Sequence, residues 1–169
     1  MSFTIRTATI SDVPALAALH VETFHETHGK YPGAPTFELR SYQWQKLFEE
    51  ADESWFCLVV ENEEGHLIGF AKAQPYSHPD QPEFTGELNK IYLLKKYHRK
   101  NLGRQLVCSV AKELLRRGIN SMLLFGDARY PSNGFYEHMG AEKLFAKNGE
   151  FHGGYGWKDL EKLTARSCG

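Results

Sequence analysis

The residues with the clearest chemical potential are His98-Arg99-Lys100-Asn101-Leu102-Gly103, a short basic turn that leads from an apolar strand into a helix. A glycine-bearing turn of this kind leaves several backbone N–H groups pointing outward, with the positive end of a helix dipole behind them. Arg99, Lys100 and Arg104 surround those amides, and a pyrophosphate is the natural guest of such a cradle. A solvated basic turn is the plainer reading of the same residues, and on this segment alone it stays open. Two phosphate signatures are excluded: GxxxxGK[ST] does not occur, nor does GxGxxG followed about 20 residues later by an acid.

Other reactive types carry less. His25-Glu26-Thr27-His28 is one residue short of HExxH and sets its histidines at i and i+3 with no third ligand nearby, so no metal is expected. Cys57, Cys108 and Cys168 lack the short spacing of a zinc site or a CxxC pair and read as free thiols of a reducing compartment. Cys108, inside a helix, reads as a small core residue rather than a nucleophile.

The elements that must position the turn follow from periodicity. Phe3 to Arg6 alternates as a short strand, and Ser11-Asp12 offers an N-cap, with Pro14 close behind, to an amphipathic helix from Asp12 to about Thr27, stopped by Gly29. A breaker-rich loop, Lys30 to Pro35, precedes a second helix from Phe37 to Glu50. Trp55 to Val60 and Leu67 to Ala73 form a hairpin across the turn Asn62 to Gly65, with Gly69 marking a weak spot or a close backbone approach. Glu87 to Leu94 is the strand that enters the basic turn, and the helix opened by Gly103 places Leu106, Val110 and Leu114 on one face before ending at Gly118. Met122 to Phe125, a short helix from Asn133 to Met139, and strands near Lys143 to Ala146 and Tyr155 to Trp157 complete the chain. The order is strand, two helices, three strands, helix, strand, helix, two strands, a mixed α/β pattern with no repeat or linker, which predicts one domain over residues 1–169.

Composition limits the partners. Twenty Lys plus Arg against 21 Asp plus Glu leave a net charge of -1, so no positive excess follows a nucleic-acid backbone. The amino-terminal MSFTIRTATISD has no apolar h-region and no run approaches the roughly 18 apolar residues of a membrane span, so a cytoplasmic protein off the membrane is expected.

Three blocks in this order resemble the GNAT superfamily of acetyl-CoA-dependent N-acyltransferases over nearly the whole chain. The strand Ile91-Tyr92-Leu93 and its turn are similar to the family's IYV-like triplet followed by Q/R-x-x-G-x-G/A, with His98 in place of the Gln/Arg and Asn101 in place of the first glycine. Asparagine is the non-glycine residue that best tolerates positive φ, so the turn survives that exchange. Asn133 to Ala141, containing Phe135-Tyr136 and Gly140, is similar to FYxxxGF; Arg129 and Tyr130 stand where an asparagine is usual, and Asn133 is the candidate substitute. Gly154 to Leu160 looks like the closing strand of a bacterial subgroup that also has Glu-Thr-Phe in its first helix, here Glu22-Thr23-Phe24.

The resemblance implies a GNAT fold: a central mixed, mostly antiparallel twisted sheet of six to seven strands, splayed at the fourth, flanked by about four helices. It implies acetyl-CoA as co-substrate without a metal, bound by Ile91, Tyr92 and Leu93 and by His98, Arg99, Lys100, Asn101, Leu102, Gly103, Arg104 and Asn133. It implies acetyl transfer to a primary amine of a small molecule or a protein by direct attack, with Glu87 the candidate general base and Tyr136 the candidate general acid. A solvated strand-start carboxylate and a packed aromatic are the plainer readings of those two. Glu22, His25, Glu26, Tyr31 and Trp44 border the acceptor side in this picture or are ordinary surface groups, and the loops Lys30 to Thr36 and Asn148 to Gly153 would recognise the acceptor. The alternative is a non-catalytic acyl-CoA sensor. The acceptor and the oligomeric state, a homodimer included, are left open.

Overall fold

The computed structural model describes residues 2–126 and 132–169, without the side chains of Ser132 and Asn133. Strand β1 (Thr4–Thr7) leads through a 3-10 turn (Ile10–Asp12) to helices α1 (Val13–His28) and α2 (Phe37–Glu49), then to strands β2 (Phe56–Glu61), β3 (Leu67–Pro75) and β4 (Gly86–Leu93). A second 3-10 turn (Lys95–Tyr97) precedes α3 (Leu102–Arg116), followed by β5 (Met122–Leu124), α4 (Ser132–His138), β6 (Glu142–Phe145), β7 (Phe151–Trp157) and α5 (Leu160–Ser167). The strands are ordered β1-β2-β3-β4-β5-β7-β6 in one sheet. β1 with β2, β5 with β7 and β6 with β7 run antiparallel, and β4 with β5 is parallel, with Glu87 opposite Leu123. This is the expected mixed, mostly antiparallel sheet. β5 has three residues against eight in β4, too few to follow it along its length.

The chain divides into two compact units, Met1–Lys72 with Lys90–Leu106, and Ala73–Asn89 with Val107–Gly169. In the first, α1 presents Leu16, Ala17 and Leu19 to a core that holds Trp44, Val59, Val60, Ile68 and Phe70. The helical spacing in α1 and the β-branched run in β2 produce those faces, and burying each large side chain contributes about 1.5–3 kcal/mol. In the second, Val110 and Leu114 of α3 are fully buried, as their shared face requires, together with Met122, Leu123, Phe84, Tyr155 and Leu160. Gly156 is obligatory there, because a Cβ would stand 2.5 Å from the Phe84 ring.

Several expectations are corrected. Asp12 does not cap α1: its carboxylate receives the Arg6 guanidinium at 2.7 and 2.9 Å and the Thr9 N–H at 2.8 Å, because a 3-10 turn intervenes before the helix. Arg6 also bonds Glu61, tying β1 to β2. The closing segment is longer than expected: β7 starts at Phe151, inside the stretch read as a recognition loop, and a further helix, α5, follows it. Asp159 caps α5 by accepting from Lys162 N–H at 3.1 Å. Cys108 and Cys168 are not free thiols: they form a disulfide, Cα to Cα 5.7 Å, that joins α3 to the residue after α5. Only Cys57 is free among the described cysteines, and burial pushes its thiol up to about 12.

Candidate active site

The end of β4 is shaped by three contacts within the first unit. Leu94 leaves the strand by donating its N–H to Ile68 O at 3.0 Å, Lys95 N–H donates to Glu26 Oε1 at 3.0 Å, and His98 Nε2 donates to Leu93 O at 2.8 Å. Glu26 therefore anchors the strand end from α1, and His98 folds the turn back over it. Gly69 lies beneath: a Cβ there would meet Leu93 Cδ1 at 2.8 Å and Tyr92 O at 3.1 Å, the close backbone approach its position in the strand suggested.

Beyond His98 the chain reverses through two left-handed residues, Arg99 at φ 63° and Asn101 at φ 65°. Asn101 thus holds the conformation for which glycine is usual. The left-handed Arg99 has no counterpart in the sequence reading, since arginine carries no preference for that region. The first helical bond of α3 runs from Gln105 N–H to Asn101 O at 3.2 Å, so the amides of Leu102, Gly103 and Arg104 stand ahead of the hydrogen-bonded ladder. Arg99 and Lys100 are exposed beside them, Arg104 is half-buried, and Leu102 anchors the helix start in the core. Amides ahead of the helical ladder, a positive dipole end and three cations suit a diphosphate. Ile91, Tyr92 and Leu93 are half-buried on the strand that enters this turn.

The second unit holds the two candidate proton-transfer residues. Glu87 is half-buried near the start of β4, and Gln74 Nε2 donates to its Oε1 at 3.0 Å. The nearby Tyr76 hydroxyl is raised above the usual phenol range, first by burial and then by the Glu87 charge. Tyr136, 8 % exposed on α4, packs its ring 5.7 Å from Tyr155 and 6.3 Å from Trp157. Trp157 Nε1 donates to Met139 O at 3.1 Å, and Gly140 turns the chain at φ 86°, so the end of α4 is fixed to β7. The side chain of Asn133 lies outside the described residues.

On the acceptor side of the sequence reading, Glu22 is exposed, His25 half-buried and Tyr31 52 % exposed, its ring 6.2 Å from Phe24. Trp44 is 1 % exposed, a core residue whose Nε1 donates to His20 Nδ1 at 3.1 Å. His20 also packs on Phe70 and Tyr92, and burial, with Arg40 and Lys90 nearby, pushes its imidazole down to about 3, so it is neutral at physiological pH. No group of three His, Cys, Asp or Glu among the described residues is arranged to hold a metal.

The Acetyltransferase (GNAT) family model matches residues 14–141. Over 95% of both chains, the sequence is 32% identical to Uncharacterized N-acetyltransferase YuaI of Bacillus subtilis (strain 168). Among solved structures, the PaiA N-acetyltransferase of Thermoplasma acidophilum in complex with coenzyme A superposes with a TM-score of 0.71 at 20% identity, covering 92% of this chain and 98% of that one. The yncA protein of Salmonella typhimurium with acetyl-CoA gives 0.68 at 19% identity, covering 95% of each. The family model covers residues 14–141 and the relative matches nearly the whole chain above 30% identity, so the chain belongs to the GNAT acetyltransferase family.

Proposed function

We propose that this protein is an acetyl-CoA-dependent N-acetyltransferase acting on a primary amine, one domain over residues 1–169. The observation that carries the reading is the Arg99–Asn101 reversal, which delivers the first amides of α3 and three cations to one place. These residues would hold the diphosphate of coenzyme A, and backbone groups of Ile91 and Leu93 the pantetheine and acetyl carbonyl. Coenzyme A in the PaiA structure and acetyl-CoA in the yncA structure support the choice of guest.

Acetyl-CoA supplies an activated acyl group as a thioester, so the protein's tasks are positioning and proton movement. A free alkylamine has a pKa of about 10.4 and is mostly protonated near neutrality, so a base must take its proton before attack. Glu87, oriented by Gln74, is that base in this reading, directly or through a water. The leaving thiolate has a conjugate acid of pKa about 8.5, and a tyrosine phenol, whose reference value is about 10, is suited to protonate it, which is the role given to Tyr136. His98 holds Leu93 O and thereby the strand end that would orient the thioester.

The test joins two measurements. Coenzyme A should raise the melting temperature, since a ligand that binds only the native state stabilises it. Acetyl-CoA with a panel of amino acids, amino sugars, polyamines and peptides should release free thiol with at least one of them. Stabilisation without turnover on any acceptor assigns the chain to acyl-CoA sensing instead, and no stabilisation at millimolar coenzyme A overturns the reading.

A further inference from the structure

Within the second unit, the ends of β3 and β5 bring two aromatic rings beside the Glu87 carboxylate. Tyr76 follows β3 directly, and its N–H donates to Thr85 O at 2.8 Å. Two residues back from Tyr76 and two on from Thr85, Gln74 Nε2 donates to Glu87 Oε1 at 3.0 Å, as strand alternation requires of side chains on one face. The carboxylate thus accepts from a neutral amide rather than a cation. Glu87 stands opposite Leu123, and two residues beyond Leu123 the chain presents Phe125, whose ring centre is 6.1 Å from that of Tyr76. Phe125 is 57 % exposed and Tyr76 half-buried, so the two rings form one surface that solvent reaches. The Glu87 charge acts on the Tyr76 hydroxyl, and Asp80, which acts on it too, is paired with Lys147 at 3.3 Å. Open aromatic rings beside a carboxylate attract an organic cation in two ways, through the ring quadrupoles and through the charge.

We infer that Tyr76 and Phe125 bind the acceptor as its ammonium ion, so that the amine acetylated is a primary alkylamine with no carboxylate on the carbon that bears the nitrogen. The inference rests on the acetyltransferase reading and deepens it. The alkyl stem lies on the two rings, and the ammonium passes one proton to Glu87, which leaves a neutral amine and a carboxylic acid. A free amino acid would set a second carboxylate beside Glu87, a like-charge contact that discriminates against it.

The test sets tyramine, phenethylamine and isoamylamine beside L-tyrosine, L-phenylalanine and L-leucine, with thiol release as one readout. The other is calorimetric binding, with coenzyme A present, of the trimethylammonium derivative of phenethylamine, a cation that can neither lose a proton nor be acetylated. The amines should exceed the amino acids at least about tenfold in kcat/KM, and the trimethylammonium cation should compete with them. Phe125→Leu, which keeps an apolar side chain but removes the ring, should raise KM for the amines and weaken the cation by about 2- to 10-fold, while KM for acetyl-CoA stays unchanged. Phe125→Trp should restore both, Tyr76→Leu should weaken the cation as Phe125→Leu does, and circular dichroism checks that the variants fold. Amino acids acetylated as well as the amines, or a cation affinity indifferent to either ring, overturns the inference and leaves the transferase intact. A cation affinity that depends on both rings, without turnover of any amine, upholds the ammonium site and removes the transferase instead. No heat with the cation overturns the inference whatever other amines are acetylated.

Discussion

Tyr136 is packed by Tyr155 and Trp157, so replacing it with phenylalanine removes one hydroxyl and keeps the ring in place. Tyr136→Phe is expected to lower kcat by about 10²- to 10⁴-fold, the usual contribution of a positioned general acid, with KM for acetyl-CoA little changed. Steady-state kinetics decide it, and an unaltered kcat takes Tyr136 out of the chemistry. His20 makes a different prediction. Its imidazole sits at about 3 in the fold against an ordinary 6.5, so between those values the unfolded chain binds a proton that the native one does not. Stability therefore declines as pH drops below 6.5, by at most about 1.4 kcal/mol per unit. Asp12, lowered by Arg6, and Glu113, lowered to about 2 by Arg116 and Arg117, contribute above their ordinary range and lose that only at more acidic pH. Melting curves between pH 6.5 and 5 thus isolate His20, and His20→Asn, which keeps an acceptor for Trp44 but cannot titrate, should flatten them. Tyr136 was singled out because it falls in the FYxxxGF-like block, and Glu87 because it lies on the strand that carries Ile91-Tyr92-Leu93. The buried state of His20 had no such marker, since a lone histidine on a helix acquires meaning only from what packs against it.

At the level of elements, β4 and the entry to α3 form the proposed cofactor cradle, and Gly69 of β3 allows close approach to the strand end at Tyr92 and Leu93. A methyl group at Gly69 displaces the tip of Leu93 easily but presses on the Tyr92 carbonyl, which is backbone and must shift by a few tenths of an ångström. Gly69→Ala should therefore fold with a loss of about 1–3 kcal/mol, and bind coenzyme A several-fold more weakly, read by calorimetry beside a melting curve. Wild-type affinity in the variant would show that the strand end does not touch the cofactor. The order of strands and helices was legible from period and punctuation, and so was the tolerance of Asn101 for its left-handed backbone. The cap of α1 and the last helix were not. Asp12 had two competing uses, and Arg6, six residues earlier, outbid the helix end for its carboxylate. For α5, the family-like block ran past Trp157 and concealed Asp159 as a cap, although Leu160 and Leu163 already had helical spacing.

For the molecule as a whole, the disulfide between Cys108 and Cys168 spans 60 residues of sequence. Spacing rules for metal and redox motifs are silent about such a distant pair, which is why the sequence suggested three free thiols. In the chain-entropy account a loop of this length stabilises by about 4 kcal/mol, with measured bridges more often at about 2–4. Dithiothreitol, or Cys168→Ser, is expected to lower the melting temperature by about 5–15 °C. Calorimetric scans with and without reductant check this, and identical midpoints would mean that the bridge adds nothing to the fold.

The same bond gives the protein a chemical memory of where it has been. Reduction of the bridge would unfasten α5 from the middle of α3, so molecules held in a strongly reducing environment and molecules exposed to oxidants would differ in lifetime rather than in sequence. Oxidative stress would then act as a preservative, lengthening survival against proteases at the moment when other thiol-bearing enzymes are being damaged.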